Sequence, residues 1–145
     1  MYNKRKIKQK KLIKKLFVNI IKDLNIKKDI PLKIKFKNKG LASYCSTKSR
    51  LNIVISQVIG YNLYGSKFLK TRGYSDDYYA GRGALVNKYI KNNKHNAIRF
   101  ILLHELKHAI DYRLLGINAY KNIPVNIKEK SCDEFAINYI NKLKG

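Results

Sequence analysis

The sequence predicts an α+β fold in a single domain. Three features predict it: a basic amphipathic segment at the N-terminus, short alternating apolar segments between residues 32 and 56, and two helical segments after residue 93. At 145 residues the chain has the length of one domain. Helices grouped on a small antiparallel sheet are typical of the α+β class.

The first element is a helix predicted from about Lys4 to Leu24. Its apolar residues recur every three or four positions, and lysines occupy the other face. Packing of the apolar face on a sheet is the common use of such a helix, although a membrane surface or DNA is also compatible with it. The apolar positions are Ile13, Leu16, Phe17, Ile20, Ile21 and Leu24.

Three strands are predicted next. Leu32, Ile34 and Phe36 alternate with lysines, as in a half-buried strand, and a turn follows at 38–40. Residues 41–47 and 50–56 form the second and third strands, joined by a short hairpin connection at 47–49. We expect a small antiparallel sheet, whose edge strand can pair with an extended peptide.

Residues 57–93 have no clear periodicity and are rich in glycine and tyrosine. Their length favours a loop with functional content, such as a substrate wall or lid. Interleaved aromatic and basic residues also suit stacking on unpaired bases, and a plain surface loop is a third interpretation. A short helix is possible at 84–91.

The most specific motif is His-Glu-x-x-His at residues 104–108, inside an apolar helical run. Residues four apart lie on one face of a helix, so His104 and His108 can bind one metal ion while Glu105 faces a bound water. We expect this helix to begin at Asn93 or Asn96 and to end at Gly116. The motif predicts a zinc hydrolase.

A catalytic zinc ion takes three protein ligands, so a third ligand is required. No histidine follows His108. Glu129 and Asp133 lie four apart on one face of a final helix predicted over 126–143, whereas Glu134 faces solvent. The buried stripe of that helix is predicted to comprise Cys132, Phe135, Ala136, Tyr139, Ile140 and Leu143.

Two further side chains near the motif have open roles. Asp111, three residues after His108, either orients an imidazole through its second ring nitrogen or is a solvated carboxylate. His95, at the start of the helix, is interpreted as a surface residue rather than a ligand. Tyr112 and Tyr120 are candidates for a donor to the oxyanion of the reaction.

Segment 104–108, followed after about twenty residues by segment 129–136, resembles the zincin metallopeptidases of the gluzincin type. The pattern Glu-x-x-small-Asp-x-Phe-Ala is most similar to the short ImmA/IrrE-like metallopeptidases of bacteria, phages and mobile elements. Cys132 stands where those proteins usually have alanine. The resemblance implies a zincin-like fold and a peptidase that acts on a protein or peptide substrate.

Transferred position by position, the resemblance makes His104, His108 and Glu129 the zinc ligands. Glu105 becomes the general base and Asp133 the residue that supports a ligand histidine. The segment around residues 40–53 is also similar to SprT-like proteases, which act on proteins attached to DNA. Those enzymes take a third histidine downstream, which is absent from this sequence.

The formal net charge of +23 is the second informative property of the chain. It favours a polyanionic partner such as a nucleic acid. A solvated basic surface in a protein from an A+T-rich genome is the alternative, because codons for Lys, Asn, Ile and Tyr are A/T-rich. A nucleic-acid-binding module with a structural or vestigial zinc site, or a protein that docks through its basic N-terminal helix, are the non-enzymatic hypotheses.

The sequence also bears on the compartment. No apolar stretch approaches the length of a membrane span. Lys14 and Lys15 interrupt the apolar segment that a secretion signal would need. Two cysteines, Cys45 and Cys132, do not make a disulfide scaffold. We therefore expect a cytoplasmic protein with reduced thiols and no transmembrane segment.

Overall fold

A computed structural model of the chain describes residues 2–35, 43–45, 50–54 and 93–143. These residues form an α+β arrangement of helices and a small sheet. Its elements are α1 (Tyr2–Asp23), β1 (Leu32–Lys35), β2 (Ser43–Cys45), β3 (Arg50–Val54), α2 (Lys94–Leu115), α3 (Ile117–Asn122) and α4 (Val125–Leu143).

Helix α1 confirms the predicted N-terminal helix and its amphipathic pattern. Ile13 and Ile20 are completely buried, and Leu16 and Phe17 are nearly so. The lysines between them face solvent. The apolar stripe therefore packs into the core, against α2, as expected for a helix that is part of the domain.

The sheet is mixed, so the expectation of an antiparallel sheet is wrong for one of its two strand pairs. The strand order is β1-β3-β2. β2 and β3 are antiparallel, as predicted, with Tyr44 opposite Leu51. β1 and β3 are parallel, with Leu32 opposite Leu51. β3 is therefore the central strand, with β1 on one side and β2 on the other.

The described strands lie within the three predicted segments, and the other residues of those segments lie outside the described part of the chain. Leu51 and Asn52 in the central strand are buried, and Leu32 and Ile34 in β1 are partly buried while Lys33 is exposed, as expected for a half-buried strand. Phe36, the turn at 38–40, the connection at 47–49, the stretch 57–92 and the possible helix at 84–91 lie outside the described residues.

Helix α2 runs through the centre of the domain. Asn93 is its N-cap, and the Asn93 side chain accepts a hydrogen bond of 3.0 Å from the backbone N–H of Asn96. The helix ends at Gly116, whose φ of +82° is in the region that favours glycine. Residues 100–106 are all buried, so this helix packs on more than one side. Both predicted ends are confirmed.

Helix α4 begins one residue before its predicted start and packs against α2 more extensively than any other element does among the described residues. The predicted buried stripe is confirmed in part, because Cys132, Ala136 and Ile140 are buried but Phe135 and Tyr139 are only partly buried. Leu143 is exposed, because the helix end extends past the core, and Ile137 is buried. Glu129 and Asp133 are also buried, whereas Glu134 is exposed as predicted.

Helix α3 was not predicted. It has six residues and no buried side chain. A segment this short is not long enough to show a helical pattern of apolar residues. It connects α2 to α4 and places Tyr120 beside α2. Within the described residues, none of the helices has the length and apolar character required to cross a membrane.

Candidate metal centre

The two histidines of the motif lie side by side on α2. Their ring centroids are 5.0 Å apart and the rings are nearly perpendicular. His104 is buried and His108 is partly exposed. The one-turn spacing of the motif therefore brings the two imidazoles together, with one of them accessible from the surface.

Glu129 of α4 faces both imidazoles. Its Oε2 lies 2.6 Å from Nε2 of His104, and its Oε1 lies 3.4 Å from Nε2 of His108. The carboxylate is buried. The Nε2 atoms of the two histidines and the oxygens of one carboxylate thus meet at a single point between α2 and α4.

The second nitrogen of each imidazole, Nδ1, contacts an oxygen atom of another side chain. Nδ1 of His104 lies 2.7 Å from Oδ1 of Asp133, and Nδ1 of His108 lies 2.6 Å from the hydroxyl oxygen of Tyr120. When Nε2 acts as a ligand, Nδ1 carries the hydrogen and donates it to these oxygens. Such contacts fix the tautomer and the orientation of a ligand histidine.

Glu105 places a third carboxylate next to this point. It is buried, and its Oε1 lies 3.9 Å from Nε2 of His104. This separation is longer than a hydrogen bond. Glu105 therefore lies next to the place where the two Nε2 atoms and Glu129 come together, without a direct hydrogen bond to His104.

Cys132 is a second potential donor from α4. His104, His108 and Cys132 have ligand atoms within 4.8 Å of one another, and this group could hold a metal ion. Cys132 is a free, fully buried thiol. Burial raises the pKa of the Cys132 thiol, and the neighbouring carboxylates of Glu129 and Glu105 raise it further.

One of the two distances from Glu129 to the histidines matches the spacing of zinc donors. Bond lengths of about 2.0–2.2 Å to zinc place tetrahedral donors roughly 3.3 Å apart. The distance from His108 to Glu129 has this value, and the distance from His104 to Glu129 is shorter, at hydrogen-bond length. Glu129 thus reaches both imidazoles through its two oxygens, whereas a thiol must lose its proton before it binds zinc.

The charge of the site also suits a cation. Glu105, Glu129 and Asp133 are all buried, and each forms an ion-pair contact with His104. Burial of several carboxylates is costly unless positive charge compensates them. A histidine provides that charge only when it is protonated, whereas a divalent cation provides it at any pH at which it binds.

The remaining predicted residues lie around this centre or away from it. Asp111 pairs with Lys107 through a 2.8 Å contact one turn away, so neither imidazole Nδ1 is oriented by Asp111. His95 is exposed, as expected of a surface residue. Glu134 is also exposed and pairs with Lys130 at the surface.

Tyr120 has a different position from the one predicted. Its hydroxyl lies at Nδ1 of His108, on the opposite side of the ring from Nε2, so it supports the histidine and does not face an oxyanion. Tyr112 packs edge-on against Tyr120 at 5.6 Å. The need for a group at Nδ1 of His108 follows from the motif. The motif does not show that this group is Tyr120, because no sequence pattern predicts where α3 lies.

Comparison of the chain with protein-family models, with curated proteins and with solved structures found no match. The arrangement of residues around His104 and His108 is therefore the basis for a functional assignment.

Proposed function

We propose that this protein is a zinc-dependent metallopeptidase with a His₂Glu metal site in a zincin-like domain. The observation that carries the proposal is the convergence of Nε2 of His104 and Nε2 of His108 on the carboxylate of Glu129, at 2.6 and 3.4 Å. When bound, zinc would polarise a carbonyl group and make water a stronger nucleophile at neutral pH.

The ligand side chains are held by a rigid frame in this proposal. Asp133 and Tyr120 fix the rings of His104 and His108, so that both Nε2 atoms point to the same place. Glu129 completes the set from a second helix. Because the three proposed ligands come from two helices packed on the core, they are largely preorganised, and the contact between Glu129 and His104 would widen from hydrogen-bond length when the metal binds.

Glu105 is the general base of the proposed reaction. Its buried carboxylate accepts a proton from the attacking water and passes it to the amine that leaves as the peptide bond breaks. The 3.9 Å between Glu105 Oε1 and His104 Nε2 places the carboxylate beside the ligands without making it one of them. The resemblance of segment 104–108 to gluzincin motifs supports the same role.

A peptide is the substrate class that the layout favours. β2 is an edge of the three described strands, and it packs against α2, the helix that carries both histidines. An extended peptide can add to an edge strand through main-chain hydrogen bonds that do not depend on its sequence. This geometry would bring a peptide bond close to the metal centre.

A SprT-like protease is less favoured by the site. The resemblance to that group implies a third histidine ligand, and His108 is the last histidine of the chain. The position next to the two Nε2 atoms is taken by Glu129. The His₂Glu assignment therefore accounts for the observed donors, whereas a three-histidine site does not.

The proposal is tested by mapping new protein N-termini across a bacterial proteome treated with wild-type protein or with Glu105→Gln. We expect a defined set of cleavage sites with the wild type, lost on addition of a chelator and absent with Glu105→Gln. Glu134→Gln, which changes an exposed carboxylate on α4, is the matched control and should cleave as the wild type does. Identical maps for wild type and Glu105→Gln would contradict the proposal.

A further inference from the structure

Five lysines form a line along the outer side of α1. They are Lys4, Lys8, Lys11, Lys15 and Lys22, and successive members are three, four or seven residues apart. This spacing places residues on one face of a helix. All five are exposed. We call this set the lysine stripe.

The lysine stripe is opposite the face that holds α1 in the domain. Ile13, Leu16 and Ile20 are buried on the inner side, and the hydroxyl of Tyr139 on α4 donates to Asp23 at the end of the helix. The stripe therefore lies on a helix that is fixed at its core face. It is about 27 Å long, since an α-helix rises 1.5 Å per residue.

Neighbouring positive charges on one helix face repel each other. Like charges four apart on one face destabilise a helix. Asp23 is the single acidic residue of α1, and its carboxylate accepts the hydrogen bond from Tyr139. The chain as a whole carries a formal net charge of +23. A line of negative charges would relieve this repulsion along the whole stripe.

We infer that the lysine stripe binds the phosphate backbone of a nucleic acid duplex. A duplex has one phosphate per 3.4 Å along each strand, so a 27 Å line of lysines would follow roughly eight base pairs. A membrane is less favoured, because a basic amphipathic helix binds lipid by burying its apolar face, and that face of α1 is in the core. The inference is independent of the metal centre.

Salt dependence is the expected signature of this contact. Five lysine–phosphate contacts contribute about −4.5 to the slope of log Kobs against log salt concentration, which is roughly a 500-fold loss of affinity between 50 and 200 mM KCl. Lysine contacts to phosphate carry no base specificity, so affinity should be similar for duplexes of different sequence.

The test compares two variants of the full chain that lose the same charge. One replaces the lysine stripe with glutamines, which are good helix formers. The other replaces five exposed lysines outside α1 with glutamines. These are Lys28, Lys33, Lys94, Lys121 and Lys142. Binding to a fluorescein-labelled 20-base-pair duplex is measured by anisotropy between 50 and 200 mM KCl, and circular dichroism checks that both variants fold.

The stripe variant should bind at least about 30-fold more weakly at 100 mM KCl, with a salt slope smaller in magnitude by about four. The control variant should lose less than about threefold and change the slope by less than about one. Equal losses in the two variants would overturn the inference in favour of a diffuse charge effect. Binding of phosphatidylserine vesicles through the stripe, without binding of the duplex, would also overturn it.

Discussion

Nδ1 of His104 lies 2.7 Å from Oδ1 of Asp133, a contact that joins α2 to α4 at the base of the candidate metal centre. Both side chains are almost fully buried. On the opposite side of the same ring, Nε2 faces Glu129. His104 is thus held between two carboxylates of one helix, and its orientation depends on the packing of α2 against α4.

The contact predicts that Asp133→Asn weakens zinc binding. The amide is isosteric with the carboxylate but lacks its charge, so it supports the donor character of the imidazole less well. Loss of such a partner typically costs 10- to 100-fold in metal affinity. Competition with a chromophoric chelator measures the change, and Glu134→Gln on the same helix should leave the affinity unchanged.

Tyr120→Phe should also lower zinc affinity, by roughly tenfold or more, because the variant keeps the ring but removes the hydroxyl at Nδ1 of His108. Tyr139→Phe is the matched control, since its hydroxyl bonds to Asp23. The same chelator competition measures both variants. Equal zinc affinity for Tyr120→Phe and the wild type would show that the hydroxyl does not orient the ligand.

The third ligand is distinguished by two substitutions on α4. Glu129→Gln should reduce bound zinc well below one ion per chain, because the carboxylate faces both imidazoles at 2.6 and 3.4 Å. Cys132→Ala should retain stoichiometric zinc, because Glu129 provides the third donor of the proposed site. Elemental analysis of the purified variants measures both. The reverse pattern would assign the third ligand to Cys132.

The role of α1 in the fold is tested by paired substitutions on its two faces. Ile20→Ala should lower the free energy of unfolding by about 2–5 kcal/mol, because Ile20 is completely buried in the core. Val18→Ala, at a position that is 63% exposed, should change it by less than about 0.5 kcal/mol. Urea unfolding followed by circular dichroism gives both values. A small effect of Ile20→Ala would indicate that α1 is an appendage to the domain.

Helices α1, α2 and α4 were predictable because each carries a strong local pattern. The periodic apolar residues of α1, the cap at Asn93 and the glycine at 116 are signals in the chain itself. The spacing of His104 and His108, and of Glu129 and Asp133, likewise follows from helical geometry. These residues could therefore be placed on their faces before the structure was known.

The features that could not be predicted from the sequence depend on the tertiary arrangement. The parallel pairing of β1 with β3 is set by where the chain returns, and a strand pattern does not specify its neighbour. The contact of Tyr120 with His108 requires α3, which is short and exposed. Leu143 was expected in the core because its spacing fits the stripe, but the helix end projects past the core.

The central claim is that Glu105 acts as a base at a zinc site it does not help to form. The most direct measurement is zinc per chain and cleavage rate, determined on the same preparations of wild-type protein and Glu105→Gln with a protein substrate that the wild type cleaves. We expect one zinc ion per chain in both and a cleavage rate at least 100-fold lower in the variant. Cleavage at the wild-type rate by zinc-loaded Glu105→Gln would contradict the account.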